Sequence, residues 1–161
     1  MTTWQEEALY QGWRSRLEVS EILYDSQTEH QRLVIFENSR FGRVMMLDGV
    51  TQTTEADEFI YHEMLTHLPI LAHGNVQRIL IIGGGDGGTA EEALKHSTIE
   101  HITMVEIDAT VVELSKKYLP AFGINKSLVL IPESTDCSLD GTFNVIPSKR
   151  ANLRPSASQN S

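Results

Sequence analysis

From residue 14 to about 54 the apolar positions come in short runs separated by turn formers, a pattern of strands rather than helices. Leu17, Val19 and Ile22 lead into Asp25-Ser26-Gln27, and Leu33-Val34-Ile35-Phe36 leads into Glu37-Asn38-Ser39. Val44-Met45-Met46-Leu47 then meets Asp48-Gly49, a strong hairpin signal, and Val50 to Thr54 supplies the returning strand. A small antiparallel sheet is predicted. Beyond Glu55 the period lengthens: Phe59, Met64, Leu65, Leu68 and Leu71 are spaced to line one side of a helix over 57–72, with Pro69 expected to kink it or end it early.

After Gly74 strand and helix patterns alternate. A strand is predicted over 78–82, a helix over 89–96, a strand over 102–107 and a helix over 110–118 stopped by Pro120. Such alternation marks a parallel sheet with helices. Leu128-Val129-Leu130-Ile131 reads as a third parallel strand ended by Pro132, and residues 144–161, without an acidic side chain and with two prolines and four serines, read as disordered. The expected fold is therefore α/β, with a β-strand domain over 1–54, an incomplete Rossmann-like sheet of the S-adenosylmethionine-methyltransferase type over 55–131, and a tail over 132–161.

Candidate chemistry sits between the first parallel strand and its helix, at Gly83-Gly84-Gly85-Asp86-Gly87-Gly88. Gly83, Gly84, Gly85 and Gly87 allow a tight turn that aims the helix N-terminus at a ligand. Glu106, 23 residues after Gly83 and at the end of the second parallel strand, is placed to accept from both hydroxyls of a ribose. The spacing Gly83-x-Gly85-x-x-Gly88 also satisfies the dinucleotide fingerprint, so the glycines alone do not name the ligand. Asp86 changes the balance. A carboxylate in a loop meant for pyrophosphate would repel it, whereas a cationic sulfonium nucleoside such as S-adenosylmethionine or its decarboxylated form reverses the sign.

Thirteen Lys and Arg against 22 Asp and Glu leave a net charge of −9, which argues against a nucleic-acid partner and suits a cationic substrate, although solubility alone would also account for it. The single Cys137 excludes an internal disulfide framework and fits a reducing compartment. No apolar run reaches membrane-spanning length and residues 1–10 carry no signal-like apolar core, so a soluble cytoplasmic protein is expected, with no membrane partner. His62-Glu63-Met64-Leu65-Thr66-His67 is one residue longer than the zinc motif H-E-x-x-H, and on a helix its two imidazoles would be rotated by about 140°, so no metal is expected.

Several ordered blocks resemble the spermidine synthase (polyamine aminopropyltransferase) family. They are His30-Gln31-x-Leu33-x-Ile35-Phe36-Glu37, Leu47-Asp48-Gly49-Val50-x-Gln52-Thr53-Thr54-Glu55-x-Asp57-Glu58-Phe59-x-Tyr61-His62-Glu63-Met64, the glycine loop with Asp86, Val105-Glu106-Ile107-Asp108, and Lys117-Tyr118-Leu119-Pro120. Together they cover about residues 4–126. The resemblance implies transfer of an aminopropyl group from decarboxylated S-adenosylmethionine, as co-substrate and without a further cofactor, to putrescine, giving spermidine and methylthioadenosine. It also implies that Gln31 contacts the nucleoside, Glu106 its ribose, and Asp86 the sulfonium side chain and diamine, with Tyr61, His62 and Gln52 around the diamine. The family forms homo-oligomers partly through its N-terminal sheet.

The chain departs from the family pattern after Ser127. The proton-accepting aspartate belongs to a D-S-T-D-P type motif after a fourth parallel strand; Glu133-Ser134-Thr135-Asp136-Cys137 imitates it directly after the third, so the catalytic residue is unassigned. The expectation is a truncated aminopropyltransferase. The alternatives are a non-catalytic nucleoside-binding or oligomerisation fragment of such an enzyme, and an S-adenosylmethionine-dependent methyltransferase.

Overall fold

The computed structural model describes residues 3–120. Strands β1 (Thr3–Glu7) and β2 (Ser15–Val19) pair antiparallel, and β3 (Glu21–Gln27), β4 (Arg32–Asn38), β5 (Gly42–Leu47) and β6 (Val50–Thr54) form a four-stranded antiparallel meander. The N-terminal part is thus two sheets where one was expected. Strand β1 was not legible because its sequence, Thr-Trp-Gln-Glu-Glu, has one large apolar side chain and stays largely exposed. Asp48-Gly49 forms the expected hairpin turn, with both residues at positive φ.

Strand β4 is buried on both faces, which explains its unbroken apolar run. Leu33 and Ile35 join Met45, Val111 and Leu119 on one face, while Val34 and Phe36 join Val44 and Met46 on the other, backed by Leu17 and Val19 of β2. The first cluster already contains residues of the second half of the chain, so sheet and α/β unit share a core.

Helix α1 (Glu58–His73) follows, then β7 (Arg78–Ile82), α2 (Gly88–Leu94), β8 (His101–Val105) and α3 (Ala109–Tyr118). Strands β7 and β8 pair in parallel, Arg78 opposite His101 through Ile82 opposite Val105. Ile79, Ile81, Ile102 and Met104 pack with Ala90 of α2. The expected parallel α/β arrangement is present, and the expected third strand and the tail lie outside the described residues.

Two expectations for α1 are corrected. Pro69 does not end the helix early: α1 runs on to a left-handed Gly74 whose N–H bonds the Ile70 carbonyl at 3.1 Å. The buried stripe is also not the apolar one: α1 buries His62, Thr66 and Ile70, while Phe59, Met64, Leu65, Leu68 and Leu71 are between 48 and 68 % exposed. Apolar spacing identified a helix but not the face turned to its neighbours, because a satisfied histidine occupies that face.

Candidate nucleoside and amine site

The turn after β7 is pinned by Gly83 N–H on the Val105 carbonyl at 2.8 Å, so it closes over the end of β8. Gly83, Gly84 and Gly87 all lie at φ between 80 and 88°, the left-handed region that disfavours side chains. Gly85 is needed for a different reason. A Cβ there would come within 2.9 Å of Glu106 Oε2, and the glycine lets that carboxylate accept the Gly85 N–H at 3.0 Å. Glu106 Oε1 accepts from the Asp108 N–H at 3.0 Å, which leaves lone pairs on each oxygen for further donors. Glu106 stands immediately past β8, where the spacing from the loop put it.

Asp86 turns back onto the start of α2, accepting the Gly88 N–H at 3.2 Å through Oδ1. Its Oδ2 lies 3.3 Å from His62 Nε2, and the other ring nitrogen of His62 pairs with Glu58 one helical turn earlier. Burial works against a charged imidazole here, but the Asp86 and Glu58 carboxylates outweigh it and push His62 up to about 9. At neutral pH the imidazole is therefore held in its charged form between Asp86 and Glu58. Gly88 makes room for it, since a Cβ at that position would stand 2.2 Å from His62 Nδ1.

These groups open onto a cleft of about 870 Å³ between α1, β7 and the glycine loop. Gln52, Tyr61, His62, Gly84, Gly85, Asp86 and Glu106 all line it, so most of the residues singled out in the sequence converge. Tyr61 is exposed at its mouth, and Gln52 donates only to the nearby Val50 carbonyl, at 3.2 Å. Gln31 is not among the lining residues. Its amide donates to Asp108 Oδ2 at 3.1 Å.

Sequence reading gave no role to Glu58 or Asp108. Glu58 carried a signal, the i, i+4 spacing to His62. Asp108 is the N-cap of α3, accepting from the Thr110 N–H at 3.0 Å, and it also receives Thr28 Oγ1 at 2.7 Å. Burial tends to raise its carboxyl, but hydrogen bonds from Thr28, Gln31 and Thr110 hold it below the usual carboxylate range. The two histidines of the zinc-like segment face different partners: His67 meets His96 at 2.8 Å and Glu92 at 3.1 Å, away from the Glu58–His62–Asp86 trio. Among the described residues no three His, Cys, Asp or Glu side chains form a group suited to a metal ion, and no helix is long and apolar enough to cross a membrane.

Known proteins resemble this chain in sequence and in fold. Residues 3–55 match the spermidine synthase tetramerisation domain, and residues 58–140 match the spermine/spermidine synthase domain, a match that runs past residue 126. A polyamine aminopropyltransferase of Pseudomonas syringae pv. tomato is 67 % identical over 115 residues, 71 % of this chain and 40 % of that protein. One from Ruegeria sp. is 65 % identical over 117 residues, 73 % of this chain and 41 % of that protein. The chain thus spans about two fifths of the length of these curated relatives. Spermidine synthase from Thermotoga maritima superposes with a TM-score of 0.75 at 42 % identity, over 80 % of this chain and 46 % of that one. A spermidine synthase in complex with the transition state analogue AdoDATO gives 0.74 at 42 % identity, over 80 and 45 %. With two family domains matched in order and a fold to suit, the chain belongs to the spermine/spermidine synthase family.

Proposed function

We propose that this chain carries the substrate-binding part of a polyamine aminopropyltransferase, which moves the aminopropyl group of decarboxylated S-adenosylmethionine to putrescine and yields spermidine and methylthioadenosine. The observation that carries the reading is Asp86, a carboxylate on a nucleoside-type glycine loop that faces an open cleft. Phosphate would be repelled there, and a sulfonium or ammonium group is attracted.

In the reaction an uncharged amine nitrogen attacks the methylene beside the sulfonium. The carbon–sulfur bond breaks, sulfur keeps its electron pair as the thioether of methylthioadenosine, and the new secondary ammonium loses a proton to become the neutral amine. Two cationic substrates repel each other, so the protein must hold them together in line. Glu106 takes the ribose hydroxyls, with Gln31 tied to it through Asp108. Asp86 faces the sulfonium side chain and the near amine, and His62 fixes the orientation of that carboxylate from behind. Tyr61 and Gln52 stand where the rest of a diamine would run. The glycines Gly83, Gly84, Gly85 and Gly87 let the nucleoside approach the backbone. The base that receives the proton is not assigned to a described residue, and Glu133 and Asp136 lie outside them.

The reading goes with a homo-oligomer, supported by the tetramerisation-domain match and by Trp4, Tyr10 and Trp13, which are 44 to 71 % exposed on and beside the first hairpin. It goes with a cytoplasmic protein, since one cysteine in 161 residues fits a reducing compartment. It divides the chain into the strand domain over 1–54, the nucleoside-binding unit over 55–131 and the remainder over 132–161.

A second reading is a nucleoside-binding and assembly module without turnover, favoured by the tetramerisation-domain match over residues 3–55. Mass spectrometry separates the two. Spermidine and methylthioadenosine formed by the purified chain from putrescine and decarboxylated S-adenosylmethionine support the enzyme; methylthioadenosine binding without products supports the module. A methylated amine formed from S-adenosylmethionine would replace both by methyl transfer. Asp86→Asn is expected to weaken putrescine binding about tenfold, with a smaller effect on methylthioadenosine, because it removes a charge from beside a dication. Equal loss of both, measured by calorimetry, would contradict the assignment.

A further inference from the structure

Asp108 touches both residues assigned above to the nucleoside, and the inference rests on that assignment. Its backbone N–H donates to Glu106 Oε1 at 3.0 Å, and its Oδ2 accepts from Gln31 Nε2 at 3.1 Å. Oδ1 is held by the Thr110 N–H at the start of α3, so the carboxylate does not turn without opening the helix cap. The residue is 2 % exposed.

A carboxylate only accepts hydrogen bonds, so the end of Gln31 that meets Asp108 is its NH2 group. An unconstrained glutamine would offer either end. Here the carbonyl Oε1 is the end not bound to Asp108. The loop that carries Gln31 hangs on the same oxygen: Thr28 Oγ1 donates to Asp108 Oδ2 at 2.7 Å and accepts the His30 and Gln31 backbone N–H groups, each at 3.1 Å. One carboxylate therefore sets the position of the loop and the polarity of the amide.

We propose that Asp108 is a positioning residue for the nucleoside, holding Gln31 with its carbonyl oxygen available to the ligand and steadying Glu106 through the main chain. The site then presents acceptors to a ribose whose 2′ and 3′ hydroxyls both donate.

Asp108→Asn tests this without removing the cap, because asparagine caps a helix as well as aspartate. If its carbonyl keeps the Thr110 N–H, its NH2 faces Gln31, whose amide must turn over and present the wrong end. Methylthioadenosine is titrated by calorimetry into the wild-type chain, Asp108→Asn, Gln31→Ala and the double variant, each checked for folding by circular dichroism. The expected result is folded Asp108→Asn with binding weakened about tenfold, and a double variant no weaker than Gln31→Ala. The Gln31 side-chain NH2 resonance, identified by its loss in Gln31→Ala, should shift in Asp108→Asn. Wild-type affinity in Asp108→Asn alongside weakened Gln31→Ala would overturn the positioning role and leave the nucleoside assignment standing. No binding by the wild type, or undiminished binding by Gln31→Ala, would overturn both. Should Asp108→Asn fail to fold, proton exchange in the wild type decides: one slowly exchanging Gln31 NH2 proton supports the contact, and fast exchange of both overturns it.

Discussion

His62 is a buried histidine that is charged at neutral pH, and its charge couples stability to pH. Its pKa rises from about 6.5 in the unfolded chain to about 9 in the folded one. The stabilisation is fully present below about pH 6.5 and is lost as pH climbs through about 9, because the folded state then gives up a proton that the unfolded state has already lost. Urea midpoints measured from pH 6 to 10 should fall over that window for the wild type and stay flatter for His62→Gln. Gly88→Ala should cost about 1–3 kcal/mol in the same assay, since the new methyl group meets the His62 ring. At this scale the sequence was legible where spacing fixes position along the loop and strand. Gly83, Asp86 and Glu106 fall where the loop and strand end require them. The pairing of His62 with Asp86 was hidden, because a contact between α1 and a loop more than twenty residues away depends on packing and not on any local pattern.

Among the elements, period was a better guide than composition. The meander from β3 to β6 and the strand–helix alternation from β7 to α3 follow from apolar spacing within a residue or two at most ends. Strand β1 escaped because a two-stranded ribbon lying mostly in solvent has little need of apolar side chains. The face of α1 was misjudged for the converse reason: apolar residues mark a surface that needs a cover, and no described element supplies one for Leu68 or Leu71. The β5–β6 turn gives an element-scale test. Gly49 sits at φ 77° and Asp48 at 49°, the latter accepting the Arg32 N–H at 2.8 Å. Gly49→Ala should lower stability by about 1–2 kcal/mol in thermal or denaturant unfolding, the cost of placing a side chain in the left-handed region.

For the molecule as a whole, the two halves share one core within residues 3–120. Val111, near the start of α3, and Leu119, just past its end, complete a cluster with Leu33, Ile35 and Met45. Arg43 Nη1 donates to the Tyr118 carbonyl at 2.6 Å, and Thr28 and Gln31 reach across to Asp108. Leu119→Ala should therefore destabilise by about 2–5 kcal/mol and shift strand and helix signals together, in one transition by circular dichroism and tryptophan fluorescence. Two transitions moving separately would mean that the halves are independent.

The central claim is that the glycine loop with Asp86 receives a cationic nucleoside and rejects a phosphate-bearing one. Calorimetric titration of the chain with decarboxylated S-adenosylmethionine and, separately, with a nicotinamide dinucleotide compares the two directly. Binding of the sulfonium nucleoside with no detectable heat from the dinucleotide is the expected result. Dinucleotide binding as tight as, or tighter than, that of the sulfonium nucleoside would contradict it.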